Sequence, residues 1–202
     1  MARSRSWLIL VAALALVFLL MLLLGGPASG ADRSLLFRAQ SGPLVPAAQL
    51  LTDLGAWWFV LAAGAVAATW LAWQRRWRAA LILAVLLVSE RFLVEGLKLV
   101  FDRVRPDPQG HLVAVHTMAF PSGHSANAVV LGLAVALLVP ESARGQRIGV
   151  AAALLYAFVV GMTRLVLGVH WPSDVAGGWA LGALWTLLLV GLLGETAPRQ
   201  RN

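Results

Sequence analysis

The chain has 202 residues, of which 60% are hydrophobic and 12% are charged, with a mean hydropathy of +0.81. A water-soluble domain of this size could not bury so much apolar surface, so the composition predicts a protein embedded in lipid. The absence of cysteine excludes disulfides, thiolate catalysis and Cys-ligated metal sites. The net charge of +7 does not indicate nucleic-acid binding, because the basic residues fall between apolar runs rather than in one patch.

Six apolar runs approach the length of about 20 residues that a helix needs to cross a bilayer. They are residues 7–24, 55–73, 79–101, 124–139, 148–168 and 174–194, and the fourth is marginal. Residues 25–54 contain prolines and scattered leucines, and we expect them to form an outer loop with a helix lying at the interface. The sequence therefore predicts an all-α polytopic membrane protein, with one six-transmembrane-helix bundle over residues 1–202.

The first span has an alternative interpretation. Arg3 and Arg5 precede an apolar run, and small residues at 28–31 follow it, as in a secretory signal with a cleavage site. The run exceeds the usual length of about 7 to 15 residues in such signals. We therefore expect a retained span.

Arginine placement predicts the orientation of the bundle. One side of the six-span arrangement collects Arg3, Arg5, Arg75, Arg76, Arg78, Arg144, Arg147, Arg199 and Arg201. The positive-inside rule makes that side cytoplasmic, with both termini inside. The connections at 102–123 and 169–173 then lie on the outer side, and the short loops are typical of a bacterial cytoplasmic membrane.

The third span carries four charged residues, Glu90, Arg91, Glu95 and Lys98. Charges within a bilayer usually face a bundle interior or a wet cavity. Arg91, Lys98 and Arg105 are seven residues apart, so they share one stripe for as long as the helix continues, and Pro106 predicts its end near Arg105. Glu95 can pair with Arg91 or with Lys98. We expect Arg91 and Glu95 to be structural, and Lys98 and Arg105 to be functional.

A second polar segment, Pro121-Ser122-Gly123-His124, precedes an apolar run. A loop that enters a helix presents free N–H groups and the positive end of the helix dipole, which together bind anions. Gly123 allows close approach of a ligand, and Ser122 can cap the helix or donate a hydrogen bond to an oxygen. An ordinary helix cap would explain Ser122 but not His124.

The third polar segment is Arg164-x5-His170-x3-Asp174. Pro172 predicts a helix start that places Asp174 in the first turn, close to His170. A carboxylate there can hold one ring nitrogen of the imidazole and leave the other free to attack. Alone, Asp174 could equally be a favourable first-turn acid.

Together these segments resemble the type 2 phosphatidic acid phosphatase family, whose signature is K-x6-R-P, P-S-G-H and S-R-x5-H-x3-D. The chain matches it at Lys98, Arg105, Pro106, Pro121, Ser122, Gly123, His124, Arg164, His170 and Asp174. Thr163 stands where the family usually has serine and keeps the hydroxyl. The haloperoxidases that depend on vanadium share the motif but are soluble.

The resemblance implies a metal-independent hydrolase without cofactors, and a substrate that is a lipid phosphate from the bilayer. His170 would attack phosphorus to give a phosphohistidine, Asp174 would orient it, and His124 would act as general acid and base. The phosphate oxygens would be bound by Lys98, Arg105, Arg164, Ser122 and Gly123.

Three questions stay open. Candidate substrates are polyprenyl pyrophosphates, phosphatidylglycerol phosphate, phosphatidic acid and lipid A phosphates. An acceptor hydroxyl could replace water, which would make the protein a phosphotransferase. A non-catalytic transporter would account for the charges of the third span, but not for two histidines and an aspartate at one face.

Overall fold

The computed structural model describes residues 5–40 and 43–193, and every regular element in those two stretches is helical. In chain order the α-helices are α1 (Arg5–Leu24), α2 (Gly30–Gln40), α3 (Val45–Thr52), α4 (Trp57–Trp73), α5 (Trp77–Phe101), α6 (Gly123–Leu138), α7 (Ala143–Val166) and α8 (Pro172–Leu193). Short 3-10 turns occupy Asp53–Gly55 and Pro108–Gly110. The all-α fold predicted from the sequence is confirmed.

Six of these helices correspond, in order, to the six predicted spans: α1, α4, α5, α6, α7 and α8. By length and hydropathy alone, α1, α7 and α8 qualify as membrane-crossing, and Val45–Gly55 with Trp57–Trp73 forms a fourth candidate bent by 52°. Helix α6 is apolar but has only 16 residues. Helix α5 has 25 residues and carries the four charges noted above.

The predicted boundaries require some corrections. Helix α5 ends at Phe101, where Asp102 adopts a left-handed conformation with φ of 45°, so Arg105 lies on a loop and not on the stripe of Arg91 and Lys98. Residues 25–54 form two helices, α2 and α3, where one interfacial helix was expected. Arg3, Arg199, Arg201 and Gly194 lie outside the described residues.

Helix α6 lies at the centre of the bundle. Ten of its residues are buried, and it packs against α4, α5, α7 and α8. Its apolar face joins the largest core cluster, in which Val130, Leu131, Ala134 and Leu138 contact leucines of α5 such as Leu83 and Leu86. Because the Pro121-Ser122-Gly123-His124 turn begins α6, the position of that turn is fixed by the whole bundle.

Small residues bring α8 against the start of α6. A Cβ atom at Gly178 would lie 2.5 Å from the carbonyl oxygen of Ser122, and one at Gly182 would lie 2.8 Å from that of Ala126. Only glycine permits backbones this close, as at other interfaces of membrane helices. The third polar segment, at the start of α8, is therefore held directly against the second.

Helix α1 packs along α8 and has no buried residue of its own. It exposes leucines such as Leu16 and Leu19, as a helix bordered by lipid would. The ring of Phe18 lies 5.2 Å from that of Phe120 and 6.2 Å from that of Phe101. These aromatic contacts tie α1 to the loop that precedes α6.

The opposite end of the bundle is closed by arginines. Arg76 donates hydrogen bonds to the carbonyl oxygens of Leu138 and Val139 at the end of α6. Arg78 donates to the carbonyl oxygen of Leu193 at the end of α8. Cations at helix C-termini satisfy unpaired carbonyls and oppose the negative end of the dipole. Arg76 and Arg78, from which the orientation was predicted, therefore also cap the C-termini of helices.

The contact between Gly178 and Ser122 leads to a prediction. Gly178→Ala should destabilise the protein by about 1–3 kcal/mol, because the new methyl group would overlap the Ser122 carbonyl, and should also lower activity. Gly96→Ala is the matched control, since a Cβ at Gly96 meets nothing within 4 Å and alanine favours helix. Thermal unfolding in detergent should show a lower midpoint for Gly178→Ala and an unchanged or higher one for Gly96→Ala. Equal midpoints would contradict this account.

Candidate active site

Lys98 and Arg105 are brought together by a threonine between them in the chain. The Nζ of Lys98 donates to Thr117 Oγ1 at 2.9 Å, and the Nη2 of Arg105 donates to the same oxygen at 3.4 Å. The Nε of Arg105 also donates to the Thr117 carbonyl oxygen at 2.6 Å. One residue therefore orients both cations without neutralising either. Thr117 lies outside the three polar segments predicted from the sequence.

His170 lies between Arg105 and Asp174. Its Nε2 is 3.1 Å from the Nη1 of Arg105, and its Nδ1 is 3.3 Å from the Oδ2 of Asp174. A guanidinium only donates hydrogen bonds, so Nε2 of His170 must accept with its lone pair. The ring proton is then on Nδ1, which donates a hydrogen bond to the carboxylate of Asp174. This tautomer leaves the lone pair on Nε2, which faces the guanidinium of Arg105.

Asp174 is fully buried, and both of its carboxylate oxygens are bonded. Besides His170, the backbone N–H of Trp171 donates to Oδ2 at 2.8 Å, and Nη1 of Arg103 donates to Oδ1 at 3.0 Å. Arg103 is itself 9% exposed and lies over the ring of Phe120. Its charge offsets that of the buried Asp174 carboxylate, and Arg103 lies outside the assigned residues of the three predicted polar segments.

Arg103 belongs to a longer buried network. It donates to the carbonyl oxygens of Met21 and Leu22 at the end of α1, and to Ser173 Oγ at 3.0 Å. Ser173 in turn donates from Oγ and from its backbone N–H to the carboxylate of Asp32 on α2. The α1–α2 segment is thereby joined to Asp174.

The Pro121-Ser122-Gly123-His124 turn lies directly beside these residues. The N–H of Ser122 donates to the carbonyl oxygen of Asp174 at 3.0 Å, and a Cβ at Gly123 would lie 3.6 Å from Nζ of Lys98. Ser122 stands at the N-cap position of α6 but makes no side-chain capping bond; its Oγ accepts from Ser125 instead. Within the described residues, the ring of His124 has no hydrogen-bond partner, so both its nitrogens remain available.

Arg164 completes the set of cations. It lies near the end of α7, 3% exposed, and donates from Nη1 to Thr52 Oγ1 at 2.6 Å. Its Nε is buried without a hydrogen-bond partner among the described residues. A buried, unused donor is costly, and a bound anion would satisfy it. Thr163 does not join the site, because its hydroxyl donates back to the Val160 carbonyl oxygen within α7.

The predicted ion pair of α5 is present and extends further than expected. Glu95 Oε1 lies 3.0 Å from Nη1 of Arg91 and 3.3 Å from Nζ of Lys98, so it pairs with both cations rather than with one. Arg91 also lies over the ring of Trp57 at 5.6 Å. Glu90 is buried, and neither of its carboxylate oxygens has a hydrogen-bond partner among the described residues.

The electrostatic environment favours neutral His170. Burial, followed by the positive charges of Arg105, Arg164 and Lys98, lowers the pKa of His170 well below its usual range. An imidazole with a lowered pKa keeps its lone pair at neutral pH and below, as a nucleophile requires. Burial also lowers the pKa of Arg105.

The structure thus brings together the predicted residues Lys98, Arg105, Ser122, Gly123, His124, Arg164, His170 and Asp174. Pro121, which follows a cis peptide bond at Phe120-Pro121, shapes the turn between them. In residues 5–40 and 43–193, no three His, Asp or Glu side chains are grouped as a metal ion would require. The arrangement combines an imidazole oriented by a carboxylate, a second imidazole and three cations, which suits transfer of a phosphoryl group.

The chain is similar in sequence to a known protein family. The PAP2 superfamily profile matches residues 79–196, which include all three polar segments. The chain belongs to the PAP2 superfamily. The family and the enzyme class predicted from the sequence, a membrane phosphatase, are therefore confirmed.

Individual relatives support the assignment. Phosphatidylglycerophosphatase B of Bacillus subtilis is 32% identical over 145 residues, 70% of this chain and 71% of that protein. The crystal structure of a transmembrane PAP2-type phosphatidylglycerolphosphate phosphatase from Bacillus subtilis superposes with a TM-score of 0.83 at 31% identity, covering 95% of this chain and 98% of the other. A lipid A 1-phosphatase of Rhizobium johnstonii is 35% identical over 127 residues; the match covers 55% of this chain and 49% of that relative.

The lowered pKa of His170 leads to a prediction about its protonation. Because the charged form is disfavoured, the imidazole should remain neutral as pH falls through 6.5, where an ordinary histidine gains a proton. The chain has four histidines, so NMR of their ring Cε1–H groups gives a tractable spectrum. The signal that disappears in His170→Asn belongs to His170, and in the wild-type protein its chemical shift should stay constant between about pH 5.5 and 7.5. A midpoint near 6.5 would contradict the prediction.

The contacts of Arg103 generate another prediction. Arg103→Gln leaves the carboxylate of Asp174 without its cation, so kcat should fall by about a hundredfold while KM changes little, because His170 is then misplaced. Arg103→Lys keeps the charge and should recover part of kcat. Steady-state kinetics and the thermal midpoint of each variant separate the effects. If Arg103→Gln and Arg103→Lys have the same kcat but different thermal midpoints, the prediction is wrong and Arg103 serves only to hold α1.

Proposed function

We propose that the protein hydrolyses the terminal phosphate of a membrane lipid through a phosphohistidine at His170, without a metal ion. The observation that carries the proposal is the line of contacts from Arg105 through His170 to Asp174. It directs the lone pair of Nε2 towards a cation that binds phosphate, and it fixes the proton on Nδ1. The names of the relatives, all phosphatases of lipids, agree with this substrate class.

In the first step, Nε2 of His170 forms a bond to phosphorus while the bond from phosphorus to the lipid oxygen breaks. His124 donates a proton to that leaving oxygen. Asp174 stabilises the positive charge that develops on the ring of His170 through its bond to Nδ1. Asp174 keeps this geometry because its other oxygen is already bonded to Arg103.

In the second step, His124 removes a proton from water, the water oxygen attacks phosphorus, and the bond from phosphorus to Nε2 breaks. Inorganic phosphate leaves and His170 returns to its starting form. The absence of any hydrogen-bond partner on His124 among the described residues supports this double use, because its ring nitrogens can face the leaving group and then water.

The phosphate oxygens would be held by Lys98, Arg105 and Arg164, with Ser122 and the N–H groups at the start of α6. A phosphomonoester carries about 1.5 to 2 negative charges near neutral pH, and three cations stabilise the further charge of the transition state. Thr117 and Thr52 supply oxygens that orient these cations without cancelling their charge. The free Nε of Arg164 would gain a partner when phosphate binds.

We further propose that phosphatidylglycerol phosphate is the first substrate to test, because the name of the Bacillus subtilis relative specifies it and that match covers most of both chains. Polyprenyl pyrophosphate and phosphatidic acid are the next substrates to test. We also propose that the protein lies in the cytoplasmic membrane with both termini inside, so that the site faces outward and the lipid tail stays in the bilayer. Phosphotransfer to an acceptor hydroxyl is the alternative outcome of the second step.

The test is phosphate release by purified protein in detergent with EDTA present throughout. Wild type should release phosphate, whereas His170→Ala and His124→Ala should each lose roughly a thousandfold or more in rate, because these imidazoles act together. His116→Ala is the matched control, since His116 is exposed on the loop before Thr117. Near-normal activity in His170→Ala would remove it as nucleophile, and loss of wild-type activity in EDTA would contradict the metal-free mechanism.

A further inference from the structure

Arg91 and Lys98 share a single carboxylate oxygen. Oε1 of Glu95 lies 3.0 Å from Nη1 of Arg91 and 3.3 Å from Nζ of Lys98, so the two cationic atoms are at most 6.3 Å apart, the sum of those distances. One carboxylate cannot neutralise two cations. Within this ion-paired group, the two cations and one carboxylate leave one net positive charge beside the site.

Arg91 is both oriented and accessible. Its side chain is 39% exposed, whereas that of Lys98 is 8% exposed. On α5, Arg91 lies at the border between a buried face, which includes Val94, and a lipid-facing side that exposes Phe92. Glu95 holds its guanidinium from one side and the ring of Trp57 from the other. A ligand that enters from the bilayer can reach this guanidinium.

The depth of Arg91 matters as much as its charge. Arg91 precedes Lys98 by seven residues, so its backbone lies about 10 Å nearer the middle of α5. Lys98 lies one turn from the end of the helix, beside the loop that carries Arg105. A lipid phosphate has its terminal group at the site and its tail in the bilayer. Arg91 is therefore on the tail side of the terminal phosphate.

The charges of the site exceed what one phosphate requires. Lys98, Arg105 and Arg164 already face a phosphomonoester of about 1.5 to 2 negative charges. With Arg91 there are four cations, and Glu95 is the only carboxylate paired with Arg91 or Lys98 in the described residues. These five groups therefore carry three net positive charges, about one more than a single phosphomonoester balances. A substrate with a second anionic group on its tail side would match this excess.

We infer that Arg91 binds a second phosphoryl group of the substrate, located between the hydrolysed phosphate and the lipid tail. The inference rests on the proposed function and narrows it. Phosphatidylglycerol phosphate carries such a group as a phosphodiester, and a polyprenyl pyrophosphate carries it as the inner phosphate. Phosphatidic acid has one phosphate and lacks it. Arg91 thus selects lipids with two phosphoryl groups over lipids with one.

The experiment compares kcat/KM for phosphatidylglycerol phosphate, polyprenyl pyrophosphate and phosphatidic acid on one preparation of each variant. The ratio between substrates does not depend on the fraction of folded protein. Arg91→Gln should lower kcat/KM by about tenfold or more for either or both of the lipids with two phosphoryl groups, and by less than about threefold for phosphatidic acid. Arg91→Lys, which keeps the charge, should recover part of the loss.

Arg78→Gln is the matched control, because Arg78 is an arginine at the opposite end of the bundle and should leave all three values unchanged. The lipid whose kcat/KM falls most in Arg91→Gln shows whether Arg91 binds a phosphodiester or the inner phosphate of a pyrophosphate. Equal losses on all three lipids, or no loss on any, would overturn the inference and leave Arg91 as a structural ion pair. If wild type releases phosphate from none of them, the proposed function fails instead.

Discussion

The carboxylate of Asp174 is bonded on both oxygens while completely buried, and its backbone carbonyl accepts from Ser122. These contacts join the loop after α5, the start of α6 and the start of α8 at one residue. A buried carboxylate is tolerated only when it is paired and hydrogen-bonded, so the loss of any one of these partners would destabilise the folded protein. The orientation of His170 depends on this arrangement.

Uncharged oxygens hold Arg105 and Arg164. A carboxylate paired with each of these arginines would stabilise the fold, but it would also cancel the charge that a phosphate needs. The protein uses threonine oxygens instead, Thr117 for Arg105 and Thr52 for Arg164. Hydroxyl groups satisfy donors without adding negative charge. The exception is Glu95, whose carboxylate pairs with both Lys98 and Arg91.

The fold supports the site through close packing of small residues. Gly178 and Gly182 allow α8 to approach the first turns of α6, and the aromatic cluster of Phe18, Phe101 and Phe120 fixes α1 beside the same region. Dispersion and close contact replace the hydrophobic effect between helices in a membrane. The geometry of the site therefore depends on backbone proximity set by glycines about one and two helical turns beyond Asp174.

Residue types and spacing in the sequence determined the membrane class, the six long helices and the motif residues, because hydropathy and short-range spacing are local properties. The predicted span ended at residue 101, as α5 does, but Pro106 was expected to end the helix, whereas Asp102 ends it in a left-handed conformation. Residue types and spacing could not find Arg103, Thr52 or Asp32. These contact residues that are 71, 112 and 141 positions away, respectively. Such partners are decided by how the helices pack, and in a buried site every polar group must find one there.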